Sequence, residues 1–157
     1  MNSTLLATSE STNELYADLA PEIREALRKH EQVVRVPRGG YLLRYGVLPD
    51  RLVIINSGRV EISVPNSDEG VSLGTAGPGK VFGMRAMVSG ETPEIDVICL
   101  EECVLTVIPA QEFITVLQNN PQMYFSVAKV LSGDLKIADQ LIRNCARRSR
   151  PRAPERV

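Results

Sequence analysis

GPGKVFGMRAMVSG, residues 77–90, is the stretch from which the rest of the chain is read. Gly77-Pro78-Gly79 spells a turn, because proline holds φ at about −65° and glycine accepts positive φ. Val81-Phe82 then re-enters an apolar strand, which Gly83 breaks. Met84-Arg85-Ala86-Met87 are helix formers and predict one short turn, whose first N–H groups have no intrahelical acceptor and suit an anion. Strand, glycine and helical turn together make a candidate phosphate cradle. The plainer alternative, a surface turn with no ligand, stays open.

On both sides of this stretch, from Gln32 to Pro109, short apolar runs alternate with Gly, Pro, Asn and Asp. Val33, Tyr41-Leu42-Leu43, Leu52 to Ile55, Val60 to Val64, Val71 to Leu73, Val81-Phe82, Val97-Ile98 and Val104 to Ile108 are the expected strands. Val60-Glu61-Ile62-Ser63-Val64 alternates cleanly, as a strand with one wet and one buried face does. Many short strands joined by turns predict a mainly β fold of sandwich or jelly-roll type.

Helices are expected at both ends. Ser11-Thr12-Asn13-Glu14 has capping-box spacing, and Leu15, Leu19, Ile23 and Leu27 follow at intervals of four. Pro21 suits a first helical position, so two short helices are expected, the second opening at Pro21. His30, the only histidine, falls at its C-terminal end. Ala110 to Gln118 reads as an amphipathic helix with Phe113, Val116 and Leu117 inward, and Asn119-Asn120-Pro121 as the break before the longest helix, to about Arg147. Leu131, Leu135, Ala138, Ile142 and Cys145 follow one another at 4-3-4-3 spacing, the pattern of a coiled-coil seam, and Val127, Val130, Ile137 and Leu141 form a second stripe. Two apolar faces predict two neighbours, the chain's own β region and a second copy. Gly133 interrupts the helix and predicts a bend or a close approach of two backbones.

Composition bounds the function. The 157 residues are 43% hydrophobic and 24% charged, as in a soluble globular domain with an ordinary core. With 4% aromatics and no Trp, stacking platforms for single-stranded nucleic acid are scarce. No apolar run approaches a membrane span and the N-terminus lacks a secretory pattern, so a cytoplasmic protein without membrane partners is expected. Cys99, Cys103 and Cys145 are too few for a disulfide framework and read as free thiols; an iron–sulfur cluster normally takes four. His30 lies outside the β region, so neither a histidine metal site of the cupin kind nor a Ser-His or Cys-His pair can be built there, and no spacing marks Glu91, Glu94 and Asp96 as a catalytic couple. The expectation is a non-enzyme, with no catalytic or metal-binding residues.

Glycine spacing adds a family. Val36-Pro37-Arg38-Gly39-Gly40, then Gly46, Leu52 to Ile55 leading into Ser57-Gly58-Arg59-Val60, and Gly77-Pro78-Gly79 followed by Phe82-Gly83 resemble the cyclic-nucleotide-binding domain family. The likeness is to the sensor half of catabolite-activator and fumarate-nitrate-regulator type bacterial regulators, and runs from about Leu15 to about Arg148. It implies a double-stranded β-roll with short N-terminal helices and a long C-terminal dimerisation helix. The corresponding organisation is a disordered segment 1–13, a cyclic-nucleotide-binding-like domain 14–147 (helices 14–31, roll 32–109, helices 110–147) and a basic disordered tail 148–157.

By the same resemblance the candidate pocket comprises Phe82, Gly83, Met84, Arg85, Ala86, Pro93, Glu94 and Ile95. Its ligand would be a cyclic nucleotide or another small anion. In the family a Glu after Phe-Gly takes the ribose hydroxyl, and an Arg in the following loop pairs with the cyclic phosphate. Here Met84 stands at the first position, and Pro93 or Glu94, depending on the alignment, at the second. The family's adenine-receiving pair on the long helix corresponds to Ala138-Asp139. The resemblance therefore implies a degenerate cassette, with Arg85 able to compensate if it turns inward, and cyclic AMP bound weakly or not at all. Met84→Glu together with Glu94→Arg, and separately Pro93→Arg, would show which alignment of the loop holds.

The tail holds Arg147, Arg148, Arg150, Arg152 and Arg156 against Glu155, leaving 13 basic and 18 acidic residues in the rest of the chain. That polarity predicts an acidic partner for the tail. The functional expectation is a ligand sensor signalling through a homodimer; the alternatives are a ligand-free dimerisation or protein-docking module, or a fragment of a DNA-binding transcriptional regulator.

Overall fold

A computed structural model describes residues 13–65 and 70–133. All eight expected strands form: β1 Gln32–Val36, β2 Tyr41–Leu43, β3 Arg51–Ser57, β4 Val60–Val64, β5 Val71–Ala76, β6 Val81–Phe82, β7 Asp96–Cys99 and β8 Cys103–Pro109. They make two antiparallel four-stranded sheets, in the orders β1-β8-β3-β6 and β2-β7-β4-β5. This is the expected β-roll.

The apolar run in β3 has a direct physical cause, because its sheet is covered on both faces. Leu52 and Ile54 enter a cluster shared with the helices, whereas Val53 and Ile55 enter the interior between the sheets. β6 divides the same way, Val81 to the helices and Phe82 to the interior. In β8, Ile108 faces the helices while Cys103, Leu105 and Val107 fill the roll.

The helices pack on the outer face of the first sheet. A 3₁₀ turn, Tyr16–Asp18, precedes α1, Pro21–Arg28, with proline at the start as expected. α2 spans Met84–Ser89, longer than the single turn expected, and α3 spans Ala110–Asn119. Residues 121–122 form a turn and α4 occupies residues 123–133, so Pro121 heads the turn rather than the helix. Tyr16, Ile23, Leu27, Phe113, Leu117, Met123, Val127 and Val130 meet in one buried cluster. Each large side chain so buried contributes about 1.5–3 kcal/mol.

The first two residues of the expected capping box, Ser11 and Thr12, lie outside the described residues. Asn13 Oδ1 accepts the N–H groups of Leu15 at 2.7 Å and Tyr16 at 3.3 Å. Glu14 reaches across the fold: its carboxylate accepts the Val81 N–H at 2.7 Å and lies 3.6 Å from the Lys80 ammonium, while its own N–H donates to the Gly79 carbonyl at 3.0 Å. The turn before β6 offers that carboxylate a cation and an N–H donor together. The start of the described chain is thus clamped to the start of the cassette.

Val127 and Val130 are buried as the inward stripe requires, and Leu131 is half-buried against the same cluster. Leu135, Ile137, Ala138, Leu141, Ile142 and Cys145 lie outside the described residues, as do segment 1–12 and the arginine-rich tail. A Cβ on Gly133 would meet nothing within 4 Å, so packing against the described residues does not demand glycine there.

Candidate functional site

The cassette is built from two glycines and a six-residue helix. Gly83 adopts φ 98° and ψ −9°, and a Cβ there would stand 3.2 Å from the Arg51 carbonyl oxygen, so both backbone shape and space ask for glycine. Gly90, with φ 79°, ends α2 by donating to the Ala86 carbonyl at 2.8 Å. Ser89 staples the exit, its hydroxyl donating to the Arg85 carbonyl at 2.8 Å and accepting the Glu91 N–H at 3.1 Å.

These constraints orient the side chains. Met84 is 1% exposed and joins the helix-side cluster with Leu15, Leu19 and Phe113, and Met87 packs against the same cluster. A straight thioether side chain gains more in that apolar seat than at a polar mouth. Ala86 and Gly83 are buried too. Arg85 projects the other way: its Nη2 lies 3.6 Å from Glu91 Oε1, with both side chains more than half exposed. The inward turn that would let Arg85 compensate is not the observed conformation, since solvent and Glu91 hold the guanidinium outside.

Downstream, Pro93 is buried, Glu94 exposed and Ile95 half-buried against the roll interior. Of the eight residues expected to share a pocket, only Phe82 and Ile95 enter the interior cluster, beside Leu43 and Val97. Met84 lies on the helix side, and Arg85 and Glu94 face solvent. The eight residues are thus divided between the roll interior, the helix side and the surface.

A strap across the cassette was not anticipated. The Gly46 N–H donates to the Pro93 carbonyl at 2.9 Å, and the Tyr45 N–H donates to Asp96 Oδ1 at 2.7 Å. The strapped loop exposes Tyr45, Val47 and Leu48, next to an Arg44 guanidinium 4.0 Å above the Tyr41 ring. Gly46, with φ 76°, was the available signal, although the sequence did not say what its turn would meet. Among the described residues, no group of three or more His, Cys, Asp or Glu side chains is placed to hold a metal ion.

Two antiparallel sheets closed into a roll, helices on one outer face and a glycine-bounded helical cassette between β6 and β7 define a double-sheet β-roll domain. The family model of the cyclic nucleotide-binding domain matches residues 33–120, more than half of the chain, and the chain belongs to that family. It is 26% identical over 109 residues to the cyclic nucleotide-gated potassium channel mll3241 of Mesorhizobium japonicum, covering 69% of this chain and 29% of the channel. Its fold is similar to that of the catabolite activator protein of Thermus thermophilus, with a TM-score of 0.71 at 21% identity over 85% of this chain and 63% of the activator. It is also similar to the regulatory subunit of a cAMP-independent protein kinase A from Trypanosoma brucei, with a TM-score of 0.69 at 18% identity over 83% of this chain and 46% of the subunit. The chain therefore spans less than two thirds of the length of each of these relatives. No helix among the described residues is long and apolar enough to cross a membrane.

Proposed function

We propose that the chain is a regulatory small-ligand sensor domain that signals through a C-terminal dimerisation helix and does not take cyclic AMP in the manner usual for its family. The observation that carries this reading is Met84, buried on the helix side where the family pattern places a ribose-binding carboxylate. No guanidinium stands in the loop at Pro93 or Glu94, and Arg85 is paired with Glu91 at the surface. Losing an acceptor for a ribose hydroxyl and a cation for a phosphate costs about 1–3 kcal/mol each, more for the charged group. Those losses move a micromolar site towards roughly millimolar. Calorimetric titration with cyclic AMP and cyclic GMP is the test: weak or absent heat is expected, and a micromolar dissociation constant for either overturns the reading.

Dimerisation is proposed along Leu131, Leu135, Ala138, Ile142 and Cys145. The spacing extends backward through Ala128 to Tyr124, and Tyr124 is 48% exposed beside Phe125 at 73%. Aromatic side chains left uncovered on one helix support a partner there. Leu135→Asp with Ile142→Asp is expected to give a monomer by light scattering with the far-UV spectrum retained; a wild type already monomeric at high concentration overturns the seam. The tail would contact an acidic partner, and its deletion is expected to leave folding unchanged.

A ligand-free docking module is the second reading, favoured by the exposed Tyr45, Val47 and Leu48 beside the cassette. Saturable binding of any small anion at the cassette would decide against it.

A further inference from the structure

We propose that Cys99 and Cys103 form a dithiol–disulfide modification site, closed by a peroxide-class oxidant at the junction of the two sheets. Cys99 ends β7 in one sheet and Cys103 begins β8 in the other, and only Leu100-Glu101-Glu102 joins them. Both are free thiols, 2% and 0% exposed, in the same interior cluster. One backbone atom gathers the two ends of the link: the Arg59 carbonyl accepts the Leu100 N–H at 2.9 Å and the Cys103 thiol at 3.5 Å. The Glu101 carbonyl, inside the link itself, lies 3.4 Å from the same Cys103 thiol. Gly58 makes the space, because a Cβ there would lie 2.6 Å from Cys103 Sγ.

The chemistry balances with one peroxide. One sulfur attacks a peroxide oxygen, forming an S–O bond and breaking the O–O bond; the departing hydroxide takes up the thiol proton as water. The second sulfur then displaces the sulfenic oxygen, forming the S–S bond and releasing a second water. Two thiols lose two electrons in total, and the peroxide gains them.

Burial sets the tempo in both directions. It holds the Cys99 thiol protonated, pushed up to about 12, and the neighbouring Cys103 adds to this. Attack at neutral pH is therefore slow, because the thiolate is the nucleophile. Access requires opening of the exposed Leu100–Glu102 link. The same walls keep reductants from a disulfide once it has formed. The site thus keeps a lasting mark of oxidation rather than equilibrating quickly with the thiol pool, and it does so independently of any ligand at the cassette.

The test is intact-mass measurement on the full chain carrying Cys145→Ser, incubated folded with hydrogen peroxide at pH 7 and pH 9. The expected result is a loss of about 2 Da with peptide mapping to Cys99–Cys103, at least about tenfold faster at the higher pH, and abolished by Cys99→Ser or Cys103→Ser. Dithiothreitol should reverse it faster in urea than in buffer. No mass change, accumulation of sulfinic or sulfonic acids, a link between chains, or a disulfide that forms only after unfolding in urea would each overturn the proposal.

Discussion

The backbone N–H of Gly46 donates to the carbonyl oxygen of Pro93 across 2.9 Å, joining the loop after β2 to the exit of the cassette. The neighbouring Tyr45 N–H bonds to Asp96 Oδ1 at 2.7 Å, so two hydrogen bonds tie the loop to the segment that leaves the cassette. Asp96→Ala removes a charged acceptor from that strap and is expected to cost about 1–2 kcal/mol, read as a lower urea midpoint. Gly46→Ala should cost about 1 kcal/mol for a conformational reason alone, since φ is 76° and a Cβ there meets nothing within 4 Å. Equal stability of Asp96→Ala and wild type would remove the strap from the account.

Met84 separates a changed side chain from a changed direction. If only chemistry differs from the family pattern, Met84→Glu restores an acceptor and nucleotide binding rises. Because the side chain is buried in the helix-side cluster, Met84→Glu is instead expected to bury a carboxylate and lower stability by about 3 kcal/mol or more, while Met84→Leu costs less than about 1.5 kcal/mol. Chemical denaturation of both variants decides, and a fully stable Met84→Glu would show that the helix can rotate.

Gly58 and Gly39 offer a matched pair, both at positive φ, 100° and 89°. A Cβ on Gly58 would lie 2.6 Å from Cys103 Sγ and 2.8 Å from the Glu102 carbonyl oxygen, whereas one on Gly39 meets nothing within 4 Å. Gly39→Ala should therefore cost about 1 kcal/mol and Gly58→Ala at least about 3 kcal/mol, because the latter adds a clash with backbone to the strain. Equal unfolding midpoints for the two variants would contradict the packing described.

Alkaline pH should destabilise the fold through Cys99. Burial first, and then the neighbouring Cys103, raise its thiol from 9.0 to about 12, so above pH 9 the unfolded chain releases a proton that the folded chain keeps. The unfolded state then binds fewer protons and stability falls as pH rises, being fully present below pH 9 and lost towards pH 12. Cys99→Ala should lose less stability than wild type between pH 8 and pH 10 in urea melts, and parallel slopes would argue against the raised thiol.

Much of this protein was legible in its residues. The strands were visible as short apolar runs, most of them separated by glycine or proline: Val60 to Val64 alternates with the two-residue period of β geometry, and Leu52 to Ile55 is apolar throughout because both faces of its sheet are covered. Pro21 placed a helix start, and the glycines around Phe82 placed the cassette and its family. What only the tertiary structure decided was direction and partnership. Met84 turns towards Leu15 and Phe113 because helices distant in sequence present an apolar seat there. Glu14 meets Lys80 and the Val81 N–H because the turn before β6 lies across the fold from it. Cys99 and Cys103 share the interior cluster although the chain changes sheets between them, and a side chain's surroundings in a closed roll depend on which sheet it leaves and which it joins, a relation that local periodicity does not encode.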